Sequence, residues 1–383
     1  MDYASATPVD VRVRDVMEPY FSRSFGNAGS IHAEGVQARD ALEGARKCIA
    51  RTLGARISDI MFTSGGTEAN NLAILGVARA LEGPGPLHMV TTTIEHPSIL
   101  NCFKRLEENG VSVTYVPASE SGVVSPHDIE KALTPRTVLV SVMYANNEIG
   151  TVQPISRISK IVHCFKEKRD AELPLYMHTD ASQAPLYLDC SVQKLQVDLM
   201  TFDAQKIYGP KGVGALYKKH GVVVSPLFEG GGQEYGIRPG TENIPLIVGF
   251  AEALSNAQKE YKELSEKTAK LRDYFIRSLI ENVPSIVVNG DADARIANNI
   301  NVSIPGHDAE FLVISLDADG IACGTGSACT RGKDSSYVVE ALGGGEAFAK
   351  SSLRFSLGKK TTEGDIDRVV SVLRARTRPK SNI

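Results

Sequence analysis

The stretch VDLMTFDAQKIYGPKGVGALY, residues 197–217, decides the fold class, because a mostly apolar run from Val197 to Phe202 is followed there by a turn rich in glycine and proline. A strand that is apolar on both faces is typical of a parallel sheet covered by helices on both sides. The residues after such a strand reach the sheet edge where open α/β folds bind ligands, and Lys206 stands at that point. Poor solvation there favours the free amine, which condenses with an aldehyde, although a lone lysine after a strand is more often a surface residue.

The segments around this stretch alternate between short β-rich runs and amphipathic helical runs. This alternation predicts an α/β fold with a mostly parallel sheet. The predicted strands are 59–64, 87–93, 111–117, 137–145, 175–180 and 198–203, and the helices between them are 31–54, 67–81, 97–109 and 155–169. A charge-rich helical stretch from about 242 to 281 then leads into a second, smaller α/β domain. We therefore expect a large domain over 13–254 and a small domain formed by 1–12 and 255–383.

Composition and charge are those of an ordinary soluble globular protein. The chain has 383 residues, 42% of them hydrophobic, and a formal net charge of -3, so a nucleic-acid-binding surface is not expected. Its apolar runs are too short for a membrane span, and the first residues lack the features of a signal peptide. The six cysteines form no CxxC pair, so neither a disulfide framework nor a metal site is expected. These features predict a cytoplasmic protein, or one in an organelle matrix if a transit segment has been removed.

Four more segments place polar residues directly after predicted strands. TSGGTEANN (63–71) opens a helix with a glycine turn, whose free N–H groups and positive dipole end suit a phosphate. Asp180 ends a second strand, His96 follows a third and Asn147 follows a fourth. Each alone is more simply a cap or a turn. Together with Lys206 they match the needs of pyridoxal 5'-phosphate (PLP): an amine for the aldehyde, a carboxylate for the ring nitrogen, a helix start for the phosphate and a flat side chain for the ring face.

Ten longer motifs carry a resemblance that covers nearly the whole chain. They are DYASATPVD (2–10), SFGNAGSIHAEG (24–35), FTSGGTEANNLAILG (62–76), EHPSIL (95–100), NNEIGTVQPI (146–155), HTDASQ (178–183), KIYGPKGVGALY (206–217), GGGQEYGIRPGTEN (230–243), GTGSACT (324–330) and SSLRFSLG (351–358). In this order they resemble the cysteine desulfurases, PLP-dependent fold-type I enzymes of aminotransferase class V, and specifically the group I (Isc/Nif-like) branch. The resemblance implies a large domain with a mostly parallel sheet of the seven-stranded type and a small C-terminal domain carrying a catalytic cysteine loop. It also implies conversion of L-cysteine to L-alanine, with the sulfur kept as a persulfide for iron–sulfur cluster assembly or tRNA thiolation.

The resemblance further implies a role for individual residues. Lys206 matches the lysine that holds PLP and moves a proton, and Cys329 matches the nucleophile that takes the sulfur. Arg354 matches the clamp on the substrate carboxylate, a task that suits a planar guanidinium. The other matched positions are Asp180 at the ring nitrogen, His96 on the ring face with acid–base help, Asn147 and Gln183 at the substrate side and the ring hydroxyl, Gly66 and Thr67 at the phosphate, and Thr241 at the phosphate of the neighbouring subunit in a homodimer.

Two alternatives to a cysteine desulfurase stay open. One is a selenocysteine lyase or another class V aminotransferase-like enzyme, although an aminotransferase has no use for Cys329. The other is a catalytically weak homologue that acts as a partner in a sulfur-transfer complex. The sulfur acceptor is expected to be a protein such as an iron–sulfur scaffold, which the sequence does not name. Cys323 is close enough to Cys329 in sequence to act as a resolving thiol, but we favour a packing role for it.

The chain departs from the family directly before Lys206. The usual run there is Ser-x-His-Lys, with two phosphate donors, whereas this chain has Asp203-Ala204-Gln205-Lys206. Gln205 can still donate one hydrogen bond, but an ionised Asp203 would repel a charge about 4 Å away by roughly 4 kcal/mol at an effective dielectric of about 20. Either Asp203 faces away, or it is protonated, or the phosphate is held differently. The chain end, RARTRPKSNI, also stops earlier than the tail that many relatives use to contact the scaffold protein.

Overall fold

Two β-sheets organise the chain in the computed structural model, which describes residues 1–83, 85–170, 172–326 and 335–377. The strands of the larger sheet are β1 (Ile60–Thr63), β2 (His88–Thr92), β3 (Ser112–Val116), β4 (Thr137–Ser141), β5 (Tyr176–Asp180), β6 (Leu199–Asp203) and β7 (Gly214–Lys218). Their order across the sheet is β1-β7-β6-β5-β4-β2-β3. β7 is antiparallel to both of its neighbours, and the other pairings are parallel. The predicted α/β fold with a mostly parallel sheet is therefore confirmed.

Successive residues of the central strands enter two different cores, which places helices on both faces of the sheet. Met89 and Leu139 belong to one core, whereas their neighbours Val90 and Val140 belong to the other. This is the alternation that a strand imposes on its side chains. The helices are α1 (Val11–Met17), α2 (Pro19–Ser22), α3 (Ala33–Leu53), α4 (Gly66–Ala80), α5 (Pro97–Glu108), α6 (Pro126–Ala132), α7 (Ile155–Lys168), α8 (Val192–Leu195), α9 (Ile244–Asn282), α10 (Ala309–Ala318), α11 (Tyr337–Val339), α12 (Glu346–Ala349) and α13 (Glu363–Arg376). Helices α4 and α5 cover one face, and α3, α7 and part of α9 cover the other.

The second sheet is antiparallel and has its own core. Its order is β10-β11-β9-β8, with β8 (Val287–Val288), β9 (Asn299–Ser303), β10 (Gly324–Thr325) and β11 (Ser352–Ser356). Helix α9 joins the two cores, because Phe250 and Leu254 pack in the large one whereas Phe275 and Leu279 pack in the small one. Along this continuous helix the packing partner changes between Ala269, which packs against the large core, and Leu271, which packs against the small one. The division of the chain near residue 255 stays a proposal.

The first residues of the chain connect the two sheets. The Met1 carbonyl accepts a hydrogen bond from the Ser356 N–H at 2.8 Å, beside β11. Six residues on, the Thr7 N–H donates to the Gln205 carbonyl at 2.9 Å, just after β6. The segment between these anchors therefore crosses the carboxyl end of β6. In the part of the chain that the structure describes, no helix is long and apolar enough to span a membrane.

Candidate active site

A cavity of about 460 Å³ lies at the carboxyl ends of the parallel strands, between the two sheets. It is the place where open α/β sheets bind ligands. Most of the site residues predicted from the sequence line it, namely Gly66, Thr67, His96, Asn147, Asp180, Gln183, Gln205, Lys206 and Arg354. Thr241 instead lines a separate surface cavity with Phe228 and Arg238. Cys329 lies outside the described residues, but Thr325 and Gly326, which precede it, line the main cavity.

Asp180 is held in a fixed orientation at the end of β5. Its Oδ1 accepts from the Ser182 N–H at 2.9 Å, and its Oδ2 accepts from the Asn70 side-chain amide at 2.8 Å. Asn70 belongs to α4 and Ser182 follows β5, so the carboxylate is held by two different parts of the large domain. Such a carboxylate can hold a proton on the nitrogen of a pyridine ring.

His96 begins α5 as its N-cap residue. Its Nδ1 accepts a hydrogen bond from the Ser98 N–H at 3.1 Å, so the neutral ring carries its proton on Nε2. Burial lowers the pKa of His96 below its ordinary value; the negative charge of Asp180 opposes this shift and the positive charge of Lys206 adds to it. His96 is therefore a neutral imidazole near neutral pH, with an Nε2 proton that it can donate.

Lys206 lies at the end of the short turn that follows β6, and its amine meets the first residues of the chain. Its Nζ donates to the carbonyl oxygens of Ala4 at 2.9 Å and Ser5 at 2.7 Å. The Gln183 side-chain amide donates to the same Ala4 carbonyl at 3.0 Å. Sequence reasoning assigned no role to Ala4 and Ser5, although the motif DYASATPVD contains both.

Arg354 reaches the cavity from β11 of the second sheet. Its Nη2 donates to Asp2 Oδ1 and to Ser5 Oγ, both at 2.7 Å, and its Nη1 donates to the Asn147 carbonyl at 3.0 Å. The guanidinium is thus oriented by the N-terminal segment, which the sequence analysis also missed. Among the described residues, Arg354 Nε and Asn147 Oδ1 are buried without a hydrogen-bond partner, so a polar ligand in the cavity would have groups to satisfy.

Two fully buried carboxyl groups stand beside these residues, and sequence reasoning gave neither a role. Burial raises the pKa of Glu95 to about 8, while hydrogen bonds from the Met143 N–H and the Thr92 hydroxyl oppose the shift. Burial also raises the pKa of Glu148 to about 7, against the hydrogen bond from Ser336. The sequence did offer a hint of both acids, because in EHP and NNE each glutamate directly adjoins a predicted site residue. Their raised pKa values, however, depend on burial, which only the fold reveals.

The other end of the cavity is built from the start of α4 and the end of β6. Gly66 begins α4, and a Cβ there would lie 3.0 Å from Ser182 Oγ and 3.3 Å from the Asp203 Cβ, so glycine keeps the cradle open. The free N–H groups of a helix start suit a phosphate. Asp203 lines the cavity at this point, and its Oδ2 is 3.4 Å from that same Cβ position. Of the three alternatives for Asp203, facing away from the phosphate cradle is therefore wrong.

The residues present fit PLP at the ring end of the cavity. An amine, a fixed carboxylate and a neutral imidazole converge there, and an arginine with an unsatisfied N–H stands nearby. The phosphate end also has a helix start and an open glycine cradle, but it includes the acid Asp203. The donor set thus matches the cofactor with one exception.

Comparison with known proteins gives a consistent result. The sequence model described as Aminotransferase class-V matches residues 1–369. A protein named Cysteine desulfurase IscS from Dictyoglomus turgidum is 42% identical over 97% of this chain and 93% of its own length. A protein of the same name from Clostridium botulinum is 44% identical over 97% of this chain and 92% of its own length. A solved structure described as a NifS-like protein superposes with a TM-score of 0.91 at 34% identity, covering 98% of both chains, and one described as SspA in complex with cysteine has a TM-score of 0.79 at 35% identity, covering 93% of this chain and 97% of its own.

Proposed function

We propose, from the membership of this chain in the aminotransferase class V family, that it is a PLP-dependent L-cysteine desulfurase, which forms L-alanine and a persulfide for sulfur transfer. The observation that carries the proposal is the convergence of Lys206, Asp180 and His96 in one cavity at the carboxyl edge of the sheet. Full-length relatives named Cysteine desulfurase IscS support the same activity.

We assign cofactor binding to residues at both ends of the cavity. PLP, when bound, supplies an electron sink for the electron pair that remains when a proton leaves the substrate Cα. Asp180 would hold the ring nitrogen, His96 the ring face and Gln183 the ring hydroxyl. The start of α4, with Gly66 and Thr67, would hold the phosphate. Gln205 of the same chain and Thr241 of the partner subunit are proposed to complete the phosphate site.

Substrate binding is assigned to the side of the cavity near β11. A guanidinium binds a carboxylate through two parallel hydrogen bonds, and Arg354 is buried, charged and oriented by Asp2 and Ser5. The amide of Asn147 has a buried oxygen without a partner among the described residues, and it is available to a donor on the ligand. Together these groups favour a small amino acid as the substrate class.

Two groups of the chain are assigned the proton transfers. Lys206 Nζ, in contact with the Ala4 and Ser5 carbonyls, would take the Cα proton and return it. Because burial keeps His96 neutral, its Nε2 proton is available to the leaving sulfur or to the carbon skeleton. The assignment of His96 follows from the neutral ring that burial favours, and that of Lys206 from its place in the cavity.

Cys329 is the proposed nucleophile, on the strength of its motif alone. Its thiolate would attack the substrate sulfur, the Cβ–S bond would break, and the sulfur would remain on Cys329 as a persulfide. The electron pair of the broken bond stays with the carbon skeleton, which takes up protons to become alanine. A sulfur-acceptor protein, such as an iron–sulfur scaffold, would then remove the sulfur. A homodimer in the cytoplasm is part of the same proposal.

The proposal is tested by incubating the purified protein with PLP and L-cysteine and measuring alanine, and sulfide after addition of a thiol reductant. We expect equal amounts of the two products. Cys329→Ser should lose at least 99% of turnover and keep the cofactor absorbance and its change on adding cysteine. Cys164→Ser, at an exposed cysteine of α7, is the matched control and should behave as the unmodified protein.

Normal turnover by Cys329→Ser would remove that residue from the mechanism. A protein that binds PLP and forms no alanine from cysteine would favour the catalytically weak homologue instead. Turnover of selenocysteine without turnover of cysteine would favour a selenocysteine lyase.

A further inference from the structure

Asp203 places a carboxylate at the start of α4, where the proposed cofactor phosphate would bind. It is the last residue of β6 and is largely buried. Its Oδ2 lies 3.4 Å from the position that a Cβ on Gly66 would occupy and 3.9 Å from the corresponding position on Gly65. The positive end of a helix dipole attracts an anion, and the Asp203 carboxylate lies beside that end.

The same carboxylate occupies the donors of Gln205. The Gln205 N–H donates to Asp203 Oδ1 at 3.2 Å, and its side-chain amide donates to Asp203 Oδ2 at 3.1 Å. The Gln205 carbonyl is itself fixed, because it accepts from the backbone N–H and the hydroxyl of Thr7. Asp203 thus engages one of the two N–H donors of this amide, and one N–H is left for a ligand.

Asp203 therefore opposes phosphate binding in two ways. It presents a like charge at the helix start, and it engages one of the two side-chain N–H donors of Gln205. Neighbouring donors that remain are the Ser182 hydroxyl, 3.0 Å from the Gly66 Cβ position, and the backbone at Gly66 and Thr67. The start of α4 keeps the shape of a phosphate site, but the negative charge of Asp203 lowers its affinity for a phosphate.

We propose that Asp203 acts as an internal anion that competes with the cofactor phosphate, so that this chain binds PLP in a weak and exchangeable manner. The inference rests on the proposed function, because it takes PLP as the ligand. It adds a regulatory property, namely that the active fraction of the protein follows the free PLP concentration. A carboxylate at this position would make retention of the cofactor, and not the chemistry of its ring, the limiting property of the site.

The test is a titration of apoprotein with PLP and, separately, with pyridoxal, which has the same ring and no phosphate. Asp203→Asn keeps the shape of the side chain and removes its charge, and Asp203→Ser also removes its bulk. We expect both variants to lower the PLP dissociation constant at least tenfold and to change pyridoxal binding less than threefold. Inorganic phosphate should also compete with PLP more effectively in the variants than in the unmodified protein. Asp317→Asn, at an exposed acid of α10, changes the net charge equally and should change neither constant.

Equal PLP affinity in the unmodified protein and in both variants would overturn the inference and leave the proposed function intact. Equal tightening for PLP and pyridoxal would also overturn it, because the effect would then not act through the phosphate. Failure of every form to bind PLP at millimolar concentration would instead overturn the proposed function together with the inference.

Discussion

The two ends of the cavity use the same sheet edge in opposite ways. At the ring end, each functional group is held by partners that leave its chemistry available: Asp180 by two donors, and His96 by the Ser98 N–H. At the phosphate end, Asp203 engages one of the two side-chain N–H donors of Gln205 and adds a charge of the same sign as the proposed ligand. The difference teaches that the shape of a site and its affinity for a ligand are separable. One side chain after a strand can weaken binding while the backbone around it is unchanged.

The largest effect is expected from removing the charge at the ring end. Asp180→Asn should lower kcat with L-cysteine at least a hundredfold at saturating PLP, because a neutral amide no longer favours the protonated ring nitrogen. Asn can keep one of the two hydrogen bonds to the side chain, so folding should survive. Steady-state rates of the variant and of Asp317→Asn provide the measurement and its control. A fall in kcat of less than threefold would mean that the negative charge of Asp180 is not what the ring end supplies to the reaction.

A smaller effect is expected on stability, through the buried Glu95 behind the ring end. Its pKa is raised to about 8 by burial, so the folded chain holds this proton more tightly than the unfolded chain does. The stability that this proton contributes is fully present below the ordinary glutamate pKa of about 4.5 and is lost as the pH rises through about 8. Each pH unit in that window removes up to about 1.4 kcal/mol of unfolding free energy.

Glu95→Gln isolates this contribution, because Gln keeps an oxygen for Thr92 and Met143 and has no proton to lose. The measurement is the unfolding free energy of the apoprotein from pH 5 to pH 8. We expect the decline with pH to be shallower in the variant than in the unmodified protein. Parallel declines would show that Glu95 does not titrate in this range.

Sequence reasoning succeeded where the chemistry follows from strand order. The six predicted strands each match an observed strand to within a few residues, and their carboxyl ends bring Lys206, Asp180 and His96 together. It missed β7, because GALYK follows a glycine-rich turn that reads as a loop. The domain boundaries, and the roles of all the predicted site residues, stay predictions.

The N-terminal contacts could not be found in this way. Asp2 meets Arg354 across 352 residues, and Ala4 meets Lys206 across 202. No local pattern encodes a pairing of that separation. The buried states of Glu95 and Glu148 and the direction of the Asp203 side chain likewise depend on neighbours that only the folded chain supplies.

The central claim, that Lys206 is the residue to which PLP attaches, is tested by borohydride reduction of the PLP-loaded protein followed by peptide mass mapping. The account predicts one cofactor-derived mass per chain on the peptide that contains Lys206. Lys206→Ala should abolish this label, and Lys211→Ala, at the exposed lysine five residues on, should retain it. A label on another lysine, or an equal label in Lys206→Ala, would contradict the account.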